Sequence, residues 1–136
     1  MKLTKLFIYL AFISPLGILA QTKAIITIQN NSVLERKEAV VAIKWETILS
    51  RFPEIDTANF VVINQVTKKQ VPFQLEQHGL SSIQNLLVQI DAKAKTSLHL
   101  VIQKGKPETF ATKTYARYVP ERKDDFAWEN DKIAFR

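Results

Sequence analysis

The sequence contains no cysteine, which excludes disulfides, thiolate metal sites, a cysteine nucleophile and a lipidated N-terminal cysteine. Glycine is nearly as scarce. Gly17 lies in an apolar N-terminal segment, and only Gly79 and Gly105 remain, too few to build a glycine-rich phosphate cradle. The two histidines, His78 and His99, fall on different predicted elements and in no metal-ligand spacing such as HExxH. His99 sits on the polar side of its predicted strand, where a solvated or hydrogen-bonded role is expected. Ser81 and Ser82 lack the flanking glycines of a nucleophile elbow. No apolar run reaches the ~20 residues of a membrane span. These absences imply no metal and no cofactor.

Charge of one sign is also missing. The net charge is +6, of which Lys2 and Lys5 supply two, so 17 basic and 13 acidic residues follow them. Lysines and arginines alternate with acids, as in Glu35-Arg36-Lys37-Glu38 and Glu121-Arg122-Lys123-Asp124-Asp125. A surface that tracks a phosphate backbone needs a basic run or stripe, so no nucleic-acid partner is expected.

What is present begins with an export signal. Lys2 and Lys5 precede an apolar run from Leu6 to Leu19, and Ala20 stands before Gln21, the three-part layout of a secretory leader. Its apolar core is broken by Pro15 and Gly17 and is too short to anchor. Cleavage after Ala20 is expected, leaving 21–136 in the periplasm or outside the cell with no membrane attachment. At 46% hydrophobic and 24% charged residues, the remainder has an ordinary globular balance and the length of at most one domain.

Periodicity makes that remainder all-β. Ala24 to Gln29 alternates and ends in Asn30-Asn31-Ser32, which reads as a turn and matches a glycosylation sequon. Ala39 to Ile43 is apolar at successive positions, predicting a strand buried on both faces in the middle of a sandwich. Trp45, Ile48, Leu49 and Phe52 recur at helical spacing before Pro53, predicting two turns of helix, the only one in the chain. Phe60 to Ile63 and the alternating Val71, Phe73 and Leu75 predict a hairpin, with Pro72 forcing the second strand to a sheet edge. His78-Gly79 marks a turn, and Leu86, Val88, Ile90 and Leu98, Leu100, Ile102 predict two more strands with one apolar face each. Tyr115 to Val119 and Ile133 to Phe135 complete about eight strands at the spacing of an antiparallel β-sandwich. The alternating Ile133-Ala134-Phe135-Arg136 has no turn signal behind it, which reads as an unfinished strand of an incomplete domain.

One connection concentrates chemistry. From Arg117 to Asn130 the chain carries arginine, carboxylates and aromatics together. A Trp128 ring can stack on the apolar face of a pyranose, and Arg117 and Arg122 can fork onto a uronate or sulfate. Asp124, Asp125 or Glu129 can act as acid or base. The plainer alternative is a local ion pair of Arg122 with Asp124 or Asp125, with Phe126 and Trp128 plugging the end of the core.

The run Val119-Pro120-Glu121-Arg122-Lys123-Asp124-Asp125-Phe126-Ala127-Trp128-Glu129-Asn130, continuing to Arg136, resembles the N-terminal signature of domain-of-unknown-function family 4861. Ile26 to Asn31 and Val71-Pro72-Phe73-Gln74 resemble its opening strand and its VPxQ hairpin. The resemblance covers residues 22–136 and implies an exported bacterial protein of the kind frequent in Bacteroidetes and encoded near polysaccharide-degrading enzymes. It transfers no catalytic residue. It also implies a longer protein, of which 21–136 is the β-rich N-terminal part. The leading expectation is therefore the N-terminal part of an exported enzyme acting on oligosaccharides, acidic ones included. The second is a non-catalytic carbohydrate-binding or accessory module, and the third a scaffold whose aromatics are purely structural.

Overall fold

The computed structural model describes residues 22–120 and 125–135. The expected leader lies outside them, as do Arg122 and Asp124. The described chain is all-β with one short helix. Its strands are β1 (Lys23–Asn30), β2 (Arg36–Lys44), β3 (Phe60–Asn64), β4 (Phe73–Glu76), β5 (Asn85–Ala92), β6 (Thr96–Lys104), β7 (Thr114–Val119), β8 (Asp125–Asn130) and β9 (Ala134–Phe135), and helix α1 (Trp45–Leu49) follows β2.

Two antiparallel three-stranded sheets, ordered β1-β6-β3 and β2-β5-β4, enclose the core between them, and β7-β8-β9 form a third. Side chains alternate across a strand, so residues paired across the ladder share a face. Ala24 and Ile26 lie opposite Ile102 and Leu100. On the facing sheet Ile43 lies opposite Leu86, and Phe73 opposite Val88. Those faces, closed at one end by Trp45, Ile48 and Phe52, make one apolar cluster. Its centre is Phe60, fully buried, with ring centroids 6.1 Å from Trp45 and 4.5 Å from Phe73.

Four expectations need correction. The pieces read as one hairpin, Phe60 to Ile63 and Val71 to Leu75, begin as one: Asn64 N–H donates to Lys69 O, and Val71 N–H to Val62 O, both at 2.9 Å. They then part, β3 joining β6 and β4 joining β5. Pro72, which has no N–H to continue the ladder, stands at the parting, and its carbonyl instead accepts from Gln89 N–H at 2.9 Å. β4 is an edge strand, as Pro72 required. β2, expected in the middle and buried on both faces, is also an edge, with Val40 64% exposed. Its second apolar face looks away from the core. The helix is shorter than two full turns, and Leu49 is partly exposed while Trp45, Ile48 and Phe52 are buried.

The fourth correction concerns Arg117 to Asn130. Part of that connection is strand β8, paired along its full length with β7. Phe126 and Trp128 do not plug the sandwich. They are 51% and 46% exposed, the core cluster contains no residue of the third sheet, and Val119 is that sheet's one buried residue among those described.

Candidate functional site

The third sheet is built by a two-residue period that charge had masked. In Asp125-Phe126-Ala127-Trp128-Glu129-Asn130 every second side chain falls on the same face. The ladder pairs Tyr118 with Phe126 and Ala116 with Trp128, and on the other side Trp128 with Phe135. One face therefore carries Tyr118, Phe126, Trp128 and Phe135, between 43% and 54% exposed. Trp128 and Phe135 are stacked, centroids 5.4 Å apart and planes at 17°, and Phe126 lies 6.1 Å from Trp128. Thr114, Ala116 and Asn130 complete the face, so none of its described side chains is charged. A shallow groove of about 240 Å³ runs past Thr114, Ala116, Trp128 and Phe135.

The opposite face carries the charges. Tyr115 is paired with Glu129, Arg117 with Ala127 and Val119 with Asp125. The sheet thus brings Arg117, Asp125 and Glu129 to one side and sends Trp128 to the other. Asp125 and Glu129 lie four residues apart on one strand, about 13 Å at the ordinary rise. Carboxyl pairs that cleave glycosides stand about 5–9.5 Å apart, shorter than this backbone spacing. Arg122 and Asp124 fall outside the described residues.

Asn130 fixes the turn into β9. Its side-chain oxygen accepts from Lys132 N–H at 2.8 Å and Ile133 N–H at 2.9 Å, and its own N–H donates to Ile133 O at 2.9 Å. Phe135 is thereby returned beside Trp128.

A second, wider cleft of about 1030 Å³ separates the third sheet from the sandwich, with Val40, Asp91 and Phe110 among its walls. Across it Glu38 accepts hydrogen bonds from Lys113, which precedes β7, and from Lys132 in the β8–β9 turn at 3.1 Å. Asp131 stands 3.6 Å from Lys113. The hydrogen bonds and charges of the two lysines hold the Glu38 carboxyl below its ordinary range, and Glu38 raises Lys113 in return. No sequence signal distinguished Glu38, because its prominence comes from a register shift between Arg36 and Ala39 and a left-handed φ of 50°.

The histidines lie elsewhere. His99 Nδ1 is 3.0 Å from Thr27 Oγ1, the hydrogen-bonded role expected of it. His78 is 2.9 Å from Glu76, whose carboxylate also accepts from Asn85. Among the described residues no three histidine or carboxylate groups are placed to hold a metal, and no helix is long and apolar enough to cross a membrane.

The family model described as a domain of unknown function, DUF4861, matches residues 28–136. A curated relative, uncharacterized protein P7 of Formosa agariphila, is 29% identical over 116 residues, covering 82% of this chain and 29% of the relative. The chain thus spans less than a third of that protein's length. No solved structure matches.

Proposed function

This chain belongs to the DUF4861 family, and from that premise we propose that it is the β-rich part of an exported protein that works on polysaccharide, contributing saccharide binding rather than catalysis. The observation that carries this reading is the row of exposed rings centred on the Trp128–Phe135 stack. Contiguous exposed aromatic side chains mark interaction surfaces, and an exposed ring can pack against the C–H face of a pyranose while leaving sugar hydroxyls in water. The groove beside Trp128 is smaller than the roughly 300–1,000 Å³ of drug-sized ligand sites, a fit for one sugar ring of a chain that continues along the sheet. The backbone spacing of Asp125 and Glu129, wider than the carboxyl separation of a glycosidase pair, supports binding as the first reading. The resemblance supplies the setting, export and proximity to polysaccharide degradation.

Catalysis by the whole protein is a companion proposal, favoured by the Arg117, Asp125 and Glu129 side of the same sheet. There an acidic saccharide would be held by Arg117, with Asp125 or Glu129 as the candidate acid or base.

The test is binding of neutral and uronate-bearing polysaccharides, followed by tryptophan fluorescence and by co-sedimentation with insoluble chains. Trp128→Ala should weaken binding at least tenfold, about 1.4 kcal/mol, and Arg117→Ala should spare neutral chains. Undiminished binding in Trp128→Ala, or no binding by the parent across the panel, refutes the reading. Product formation from uronate oligosaccharides that is lost in Asp125→Asn or Glu129→Gln would support the catalytic companion instead.

A further inference from the structure

The third sheet contributes nothing to the sandwich core, yet it is held at a defined place beside it. Its tether is anchored at the start: Gly105 N–H donates to Asn59 O at 3.1 Å, and the Gln70 side chain donates to Lys106 O at 3.2 Å and accepts from Glu108 N–H at 3.0 Å. Beyond Glu108 the connecting residues are exposed until β7 begins. A second tie is Glu38, and both of its lysine partners belong to the third sheet's own ends, one entering β7 and one turning into β9.

Glu38 is positioned for this at a cost to its own backbone. The register of β2 against β5 shifts between Arg36 and Ala39, and such a bulge bends the strand and re-aims a side chain. The residue's left-handed φ is disfavoured for anything but glycine and persists where surroundings impose it. Asp91 Oδ1 accepts the Glu38 N–H at 2.7 Å in that conformation.

We infer that Glu38 is an electrostatic latch: it holds the third sheet against the sandwich, and its release lets that sheet swing as a unit and widens the cleft between them. The latch is soft by construction. Lys113, Lys132 and Glu38 are 49%, 68% and 38% exposed, and exposed pairs of this kind shift an equilibrium by about fivefold at most. Salt shortens the reach of such attractions from about 10 Å at 0.1 M to about 3 Å at 1 M. Ionic strength is therefore the control. The inference is independent of saccharide binding, since it concerns how the sheet is held and not what its rings touch.

The absence of native cysteine allows clean labelling of Ser97→Cys on β6 and Ala134→Cys on β9 in the otherwise intact chain, with the distance distribution read by pulsed electron resonance. The parent should give a narrow distribution at low salt that broadens at 1 M sodium chloride. Glu38→Gln should be broad at low salt and indifferent to more. Glu38→Gly relieves the left-handed strain, so it should fold with an undiminished melting temperature and still be broad, which separates latching from stability. Reversal of all three charges, Glu38→Lys with Lys113→Glu and Lys132→Glu, should restore the narrow distribution. A parent distribution that ignores salt, or one matched by Glu38→Gln at low salt, overturns the inference.

Discussion

Phe60→Ala and Trp128→Ala, compared in one background, separate a ring that holds the fold from a ring that the fold displays. Phe60 is completely buried and touches Trp45 of the helix end and Phe73 of the facing sheet. Its truncation removes the transfer free energy of a benzyl group and leaves a cavity bounded by both sheets, together costing about 3–5 kcal/mol. That is a large part of the roughly 5–15 kcal/mol by which such domains are stable. Trp128 is nearly half exposed, so its truncation forfeits only part of a comparable burial, about 1–2 kcal/mol. Urea unfolding followed by far-ultraviolet circular dichroism reads both. With a slope of about 2 kcal/mol/M, the midpoint should fall by roughly 2 M for Phe60→Ala and under 1 M for Trp128→Ala. Equal shifts, or a larger one for Trp128→Ala, would mean that the third sheet's rings are core and that the assignment of a binding face is mistaken.

Asn30→Ala should destabilise more than its position at the end of β1 suggests. The Asn30 amide donates to the carbonyls of Leu34, Ala92 and Lys93 at 2.9–3.0 Å, and its oxygen accepts from Ser32 N–H at 3.1 Å. Losing these bonds, of which only those with Ala92 O and Ser32 N–H are partly buried, costs about 0.5–1.5 kcal/mol, to be checked as a fall of a few degrees in melting temperature against Asn31→Ala as control. The pH dependence follows from Glu38. Because its folded pKa is depressed by Lys113 and Lys132, its contribution is complete above the ordinary glutamate range and disappears as pH falls through the depressed value. Lys113, raised by Glu38, contributes below the ordinary lysine range and loses that contribution as pH rises through the raised value. Lys113, Lys132 and Asp131 from the third sheet, and Glu35, Asp91 and Lys93 from the sandwich, are the charged groups on the same cleft. The difference between parent and Glu38→Gln, in label distance against pH, isolates the acid limb, and an acid limb unchanged in Glu38→Gln contradicts the assignment.

Alternation along the chain was enough to locate most strands and the residues they bury. Leu86, Val88 and Ile90, or Leu100 and Ile102, need no knowledge of their neighbours to be recognised as one apolar side, and the structure buries all five. The same reasoning failed at Ala39 to Ile43, where apolar residues on both sides suggested a central strand. An apolar face can look into a cleft at the sheet's edge as well as into a core, and Val40 does so. It failed again at Asp125 to Asn130, where the density of charge outweighed a clear alternation of Phe126 and Trp128.

The candidate site divides along the same line. That Arg117, Trp128, Asp125 and Glu129 are close together was plain from their spacing. That Trp128 faces away from Asp125 and Glu129 follows from alternation once β8 is a strand. Which side Arg117 joins was set by the pairing of β7 with β8, where a shift of one residue would move it to the other face. Glu38 owes its importance to Lys113 and Lys132, 75 and 94 residues along the chain, and to a bulge that no local pattern announces. Side-chain alternation is a property of a few consecutive residues and survives any choice of neighbour. Pairing partners, register and the contacts between sheets are settled by competition among distant segments for burial and hydrogen bonds, and so they emerged only once the strands were assembled.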